Sequence, residues 1–361
     1  MEKGTITILS SGVTLGIYVP ALTINSQLQN KGFNTDVVVL ESLFLKEKQN
    51  KIPEAKVQFH KNFKFALMGQ KVTGNIFDSF DIPVLEATLT KWINEKRSHF
   101  LVFSGFWVPI IEQYLSAIDF KIEVDICHMD ATESISWKGR DTSHSCYRHI
   151  WMFNWENRAV TSIIDIQGEP PLMFEKRNDR FIVHGGGWGI GTYKNVIPEL
   201  TELGYGLDII AYDNNDISDN KNKHRYFMID PNWKAWEKDS HNYYIFPPLG
   251  EVNGNSQIQY KNNRQYSEVY NLIAQNKAII SKPGGATIID SLSSATPIIF
   301  LDPFGEYENV NSKLWEYLGF GISYKNWKES NFSMAILDEL HNNLLKIRPK
   351  LKNYLEEIYA A

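Results

Sequence analysis

Short apolar runs, rich in β-branched residues and bounded by polar or glycine-bearing turns, recur along the chain, and their length predicts buried strands. Residues 5–9 (TITIL), 35–40 (TDVVVL), 100–103 (FLVF), 124–127 (VDIC), 181–183 (FIV), 207–212 (LDIIAY), 242–246 (NYYIF), 278–280 (AII) and 297–301 (PIIFL) are such runs. Stretches with helical spacing lie between them: 21–31, stopped by Gly32; 83–94; 108–116; one ending near Leu203; 266–275; and one beginning near Ala286 or Thr287. C-terminal helices are expected over 332–359, with Ile336, Leu340, Leu344, Leu345 and Ile347 as apolar positions and a bend at Pro349. Strands alternating with helices predict βαβ units and parallel sheets.

Three segments do not fit that alternation. Residues 41–84 have no regular period; Lys51, Lys56, Lys61, Lys64 and Lys71 interleave with Phe59, Phe63, Phe65, Leu67 and Met68. These aromatics are read as core and the lysines as solvated, with contact to an anionic membrane surface as the alternative. Residues 167–179 form a proline-containing polar stretch, the candidate linker, and 213–223 an Asn-rich surface loop.

The chain restarts after that linker. Residues 10–20 (SSGVTLGIYVP) follow the first strand, and 184–192 (HGGGWGIGT) follow the strand at 181–183; each is a glycine loop running into a helix and another strand. The class expected is therefore α/β, with two Rossmann-like domains facing a central cleft. With 361 residues and 43% hydrophobic content, the chain is long enough for two cores. A formal net charge of -5 argues against nucleic acid as a partner. Two cysteines, Cys127 and Cys146, make no disulfide framework and fit a reducing cytoplasm. The apolar runs are too short for a transmembrane helix, and the start of the chain lacks the apolar core of a signal peptide.

Chemistry concentrates in 278–321. The turn Lys282-Pro283-Gly284-Gly285 lets backbone approach a ligand closely, and the amides opening the next helix, at Gly285, Ala286 and Thr287, suit a phosphate. Asp290, one turn on, can accept hydrogen bonds from a sugar diol. Glu306, Glu308, Asn309 and Asn311, in an expected loop over 305–311, offer further acceptors and amides for a polyhydroxylated ligand. Gly186, Gly187, Trp188 and Gly189 bring amides able to cradle a pyrophosphate, and Gly12 and Gly16 sit at the matching edge of the first half. The plain alternative for any one of these loops is a tight turn with solvated acids. The loop after residue 127 carries His128, Asp130 and Glu133, candidates for deprotonating a hydroxyl. Cys146 and His149 have a metal-like spacing but no second matching pair, and no metal is expected.

Gly284-Gly285-Ala286-Thr287, Asp290, Gly305-Glu306 with Asn309, and Leu318-Gly319-Phe320-Gly321 together resemble the nucleotide-binding half of GT-B fold nucleotide-sugar glycosyltransferases. The likeness is to the branch with the lipid II-forming N-acetylglucosaminyltransferases and the plant galactolipid synthases. Those enzymes carry Glu where Asp290 stands, a Gly-Gly-Ser-x-Gly turn where Gly186-Gly187-Trp188-Gly189 stands, and Gly-His where Gly16-Ile17 stands; only His128 matches their His-Glu-Gln-Asn run. An isoleucine takes no proton, so a base at that loop has moved or gone. The resemblance implies an acceptor domain over 1–168, a nucleotide-sugar donor domain over 180–332, and helices over 333–361 crossing back to the first domain. It implies glycosyl transfer with inversion from a nucleotide diphosphate sugar, UDP being the expected nucleotide, to the hydroxyl of a small-molecule or lipid acceptor, without cofactor or metal. His128 and Asp130 stand as catalytic candidates, and Gly12, Gly16, Gly186, Gly187, Trp188, Gly189, Lys282, Gly284, Gly285, Ala286, Thr287, Asp290, Glu306 and Asn309 as donor-binding ones. A nucleotide-sugar 2-epimerase on the same fold is a rival, although that family's Ser-Gly-Gly-x-Gln-Glu run is missing; a non-catalytic nucleotide-sugar-binding partner is another.

Overall fold

The computed structural model describes residues 4–69, 76–217, 223–252 and 257–359; Lys71, the centre of the Asn-rich stretch and the last two residues of the tail lie outside them. The first half runs β1 (Ile6–Ser10), α1 (Leu15–Asn30), β2 (Thr35–Val39), α2 (Lys46–Lys61), α3 (Phe63–Gly69), α4 (Ile82–Asn94), β3 (His99–Val102), α5 (Val108–Ser116), β4 (Glu123–His128) and β5 (Tyr147–Trp151). Its strands form one parallel sheet in the order β2-β1-β3-β4-β5. A small hairpin of β6 (Phe153–Asn154) and β7 (Ala159–Val160) follows, then β8 (Ser162–Ile163).

The second half runs β9 (Asn178–His184), α6 (Tyr193–Glu202), β10 (Gly206–Ala211), β11 (Arg225–Ile229), β12 (Leu249–Glu251), α7 (Glu268–Gln275), β13 (Asn276–Ser281), α8 (Gly285–Ser294), β14 (Ile298–Phe300), α9 (Glu306–Leu318), β15 (Gly321–Ser323), α10 (Tyr324–Glu329) and α11 (Met334–Ile347). The sheet order is β12-β11-β10-β9-β13-β14-β15, parallel except for β12. The tail then adds β16 (Lys352–Asn353) beside β8 and the short α12 (Tyr354–Tyr359), whose Tyr354, Leu355 and Ile358 join an apolar cluster with Ile8 and Cys127 of the first half.

Each sheet has its own core: Trp92, Trp107 and Tyr114 pack on the first, Phe181, Trp327 and Leu337 on the second. A third cluster crosses from Ile8 and Phe153 to Ile288 and Trp315, and the Phe153 and Trp315 rings meet edge to face at 5.0 Å. No helix among the described residues is long and apolar enough to cross a membrane.

Local chemistry moves several boundaries from their expected places. Helix α1 begins at Leu15 rather than 21, because the Thr14 hydroxyl caps it by accepting from the Gly16 amide at 3.2 Å. Residues 305–311 open helix α9 instead of forming a loop: Gly305 takes φ +103°, and Glu306 and Glu308 in the first turn favour the positive helix end. Residues 41–84 hold α2 and α3, and residues 242–246 form no regular strand. Pro247 and Pro248 supply no N–H, and the segment is held by Tyr18, whose hydroxyl donates to the Ile245 carbonyl at 2.9 Å.

Candidate active site where the two sheets face each other

Carboxyl-end loops of the two sheets meet. A Cβ on Gly12, after β1, would lie 2.5 Å from the Ala235 Cβ; one on Gly187, after β9, would lie 2.3 Å from Leu15 Cδ1; one on Gly285, after β13, would lie 2.9 Å from the Met129 carbonyl, after β4. Glycine at these positions is what permits the approach. In open α/β sheets this edge is the ligand-binding one.

Lys282 stands at the centre of the second half's edge. A Cβ on Gly284 would come within 3.2 Å of its Nζ, one on Gly186 within 3.9 Å, and one on Gly191 within 3.9 Å of its Cδ, so both glycine loops border one ammonium. Its partner is the Glu308 carboxylate, itself 2% exposed, whose other oxygen accepts from the Phe304 amide at 2.6 Å. Helix α8 starts beside it, and the amides of a first helical turn have no partner within the helix. Two glycine loops, an ammonium and a helix N-terminus bring together donors of the kind a diphosphate accepts from.

His184, the last residue of β9, adds a donor. Its Nδ1 accepts from the Gly186 amide at 3.1 Å, which puts the proton on Nε2; that atom is buried and has no partner among the described residues. Burial and the Lys282 ammonium hold this imidazole down to about 4, so it stays neutral. On α8, Thr287 is buried and Asp290 half-buried; burial alone pushes the Asp290 carboxyl up to about 8, and its oxygens make no hydrogen bond among the described residues.

From the first half comes Asp130. Its Oδ1 accepts from Asn311 Nδ2 at 2.7 Å, and Asn311 also donates to the Pro283 carbonyl at 2.9 Å and accepts from the Ala131 amide at 2.7 Å. A Cβ on Gly285 would lie 3.2 Å from Asp130 Oδ1. Burial, opposed by the Asn311 hydrogen bond, pushes the Asp130 carboxyl up to about 7, the range a general base needs. His128, two residues earlier, faces differently. It stacks on Trp151 at 3.7 Å and shares a 2.9 Å hydrogen bond from Nε2 to His149 Nδ1, and burial followed by the His149 charge hold it down to about 3. At neutral pH such an imidazole is a weak base in an aromatic stack.

The other candidates divide. Gly186, Gly187, Trp188, Gly189, Lys282, Gly284, Gly285, Ala286, Thr287 and Asp290 lie on the two loops and the α8 helix just described. Glu306 and Asn309 are paired with each other, 3.2 Å apart, on the outer side of α9. Glu308 and Asn311, three residues apart on the inner side, are the ones that reach the junction; read with a helical period, 306–311 would have separated these two faces. In the loop after β1, the amides of Gly12 and Val13 donate to the Glu41 carboxylate at 2.6 and 3.2 Å, and the Ser11 hydroxyl joins them. Gly12 serves the approach to Ala235, and Gly16 lies in the first turn of α1.

No protein-family model matches the chain. A processive diacylglycerol beta-glucosyltransferase from Staphylococcus epidermidis is 38% identical over 71 residues, which cover 20% of this chain and 17% of that relative. Among solved structures, MurG from Acinetobacter baumannii aligns over 99% of this chain and 98% of its own with a TM-score of 0.55 and 11% identity. The glycosyltransferase VinC in complex with dTDP aligns over 99% and 98% with a TM-score of 0.56 and 8% identity. The likeness runs the length of both chains at an identity that speaks for fold alone, and the chain has the two-domain α/β fold of GT-B glycosyltransferases.

Proposed function

We propose that the chain is a glycosyltransferase, moving a sugar from a nucleoside diphosphate to an acceptor hydroxyl. The observation that carries this reading is the buried Asp130 carboxyl, held by Asn311 and facing the glycine turn at Gly285 and Lys282 across the junction. The donor's diphosphate lies against Lys282, the amides opening α8 and the His184 Nε2–H, and the ribose diol against Asp290. Asp130 takes the proton from the acceptor hydroxyl; the oxygen bonds to the anomeric carbon as the bond from that carbon to the diphosphate breaks, and the configuration inverts. The nucleoside diphosphate leaves with its charge held by the ammonium and backbone amides, a fixed electrostatic cradle that needs no metal.

UDP is the proposed nucleotide, in line with the sequence resemblance, and dTDP is its nearest competitor because VinC holds dTDP. The acceptor is a small molecule or lipid; the name of the staphylococcal relative, which speaks of a diacylglycerol, supports including lipids. Both cysteines are free, in keeping with a cytoplasmic setting.

The test is calorimetric titration with UDP, dTDP and GDP, beside Asp290→Ala. Micromolar binding of one nucleotide, lost in the variant, supports the donor site; no binding of any of the three removes it. Nucleotide release that depends on an acceptor then separates transfer from epimerisation, which needs none.

A further inference from the structure

The backbone of the glycine loop 185–191 accepts a hydrogen bond from a side chain across the junction. His60, in the last turn of α2, is the one buried residue on that helix, with its side chain 4% exposed. Its Nδ1 lies 2.7 Å from the Gly189 carbonyl oxygen. A carbonyl only accepts, so Nδ1 carries a proton and donates to Gly189; Nε2 lies 3.2 Å from Asp216 Oδ1. The Lys194 ammonium lies 3.1 Å from the same Nε2 and donates to Asp216 Oδ1 at 2.7 Å, so the imidazole, the ammonium and the carboxylate close one cluster. Asp216 Oδ2 accepts from the Tyr193 hydroxyl at 3.0 Å and the Tyr212 amide at 2.9 Å, and the imidazole stacks on Tyr212 at 4.3 Å. His60, Asp213 and Asp216 are close enough together to suggest a metal, but the Lys194 ammonium already bridges His60 and Asp216 as the cation.

Gly189 sits in the left-handed region at φ +59°, and a Cβ there would lie 2.6 Å from His60 Nδ1, so only glycine admits the contact. The carbonyl that His60 holds shares its peptide plane with the Ile190 amide, which donates to the Gly185 carbonyl at 2.9 Å and closes the loop. That loop borders Lys282 at Gly186 and Gly191.

We propose that His60 is a positioning residue for the diphosphate-binding loop, contributed by the opposite domain, so that the loop takes its binding shape only when the two halves are in contact. This rests on the transferase reading above. Phe59 and Lys56 of the same helix reach the Trp188 ring, but His60 is the one buried side chain of α2 and the one that hydrogen-bonds the loop backbone.

Hydrogen exchange of the 185–191 amides in the ligand-free chain, with UDP and dTDP titrations, tests it on His60→Asn, His60→Gln and His60→Ala. An asparagine amide reaches the Nδ1 position and can still donate to Gly189, whereas a glutamine amide reaches the Nε2 position and cannot. Expected are near wild-type exchange and affinity in His60→Asn, and about tenfold faster loop exchange with several-fold weaker nucleotide binding in His60→Gln and His60→Ala. Unchanged loop exchange in His60→Ala, or equal loss in the Asn and Ala variants, would overturn the assignment. Zn²⁺ binding that disappears in His60→Ala would overturn it in favour of a metal centre. A wild-type chain that binds no nucleotide yet shows the expected exchange pattern would sink the transferase reading, and with it the positioning role, while leaving the contact itself in place.

Discussion

Asn311 of the second domain holds Asp130 of the first, Nδ2 to Oδ1 at 2.7 Å, while its own oxygen takes the Ala131 amide at 2.7 Å. One amide side chain thereby fixes both the backbone and the carboxyl at the end of β4, and leaves Asp130 Oδ2 for another partner. The carboxyl is poised near neutrality by burial, and it is oriented by the half of the molecule that carries the glycine loops.

If Asp130 is the base, transfer rises with pH through about 7 and then levels, because the ionised carboxylate is the active form. Asp130→Asn keeps an oxygen for Asn311 and removes the base, so turnover falls by roughly 10²- to 10⁴-fold with nucleotide affinity unchanged. The sign for stability runs the other way. A carboxyl whose folded value is raised from its ordinary 3.8 to about 7 adds stability fully below about 4 and loses it as pH rises through 7. Thermal midpoints between pH 4 and 8 should therefore slope less in Asp130→Asn than in the wild type. A variant with normal turnover, or a profile flat through pH 7, removes Asp130 from the chemistry.

Lys282 and Glu308 test the cradle. Lys282→Gln leaves Glu308 buried without its cation, a loss of about 3–5 kcal/mol for a broken buried pair, and removes the charge proposed to face the diphosphate. The double variant Lys282→Gln with Glu308→Gln should regain most of the stability and none of the nucleotide binding. Recovery of both would mean that the ammonium serves only its ion pair.

Much of this arrangement could be read from the chain because strands and glycine loops have local signatures. The runs at 5–9, 181–183, 278–280 and 297–301 are buried strands, and the turn at Gly284-Gly285 opens α8. Helix α2 could not be read the same way. Its inward side chains, Lys56, Phe59 and His60, meet Trp188, Trp236 and Gly189 of the other half, so no apolar stripe with a helical period marks it. The sequence offered Glu306, Glu308, Asn309 and Asn311 together but could not choose between them: which face of α9 looks inward depends on the other half of the chain, as the 181-residue separation of Asp130 and Asn311 shows. His128 and Asp130 were equivalent as letters; the Trp151 stack and the Asn311 amide separate them.

Close approach at Gly12 gives a prediction independent of chemistry. Gly12→Ala puts a methyl 2.5 Å from the Ala235 Cβ, and the overlap should cost about 1–3 kcal/mol and push the halves apart. Combining it with Ala235→Gly moves that methyl across the junction and should restore the thermal midpoint. The Gly12→Ala chain alone should also show a larger radius of gyration in solution scattering. Failure of Ala235→Gly to compensate would place the strain in the Glu41 cradle, whose amides belong to the same turn.

Asp290 gives the last prediction. In the empty chain burial alone pushes its carboxyl up to about 8, so at pH 7 it is mostly protonated. A ribose diol donates to a carboxylate and stabilises the charged form, which lowers that value on binding. Nucleotide binding at pH 7 should therefore release up to about one proton, and affinity should climb as pH rises towards 8 and then level. Calorimetry in buffers of different ionisation enthalpy reads the proton directly: the apparent heat changes with buffer in the wild type and not in Asp290→Asn. Proton uptake, or heats independent of buffer in the wild type, would place the diol away from Asp290 and leave the diphosphate cradle at Lys282 as the part of the site that binds.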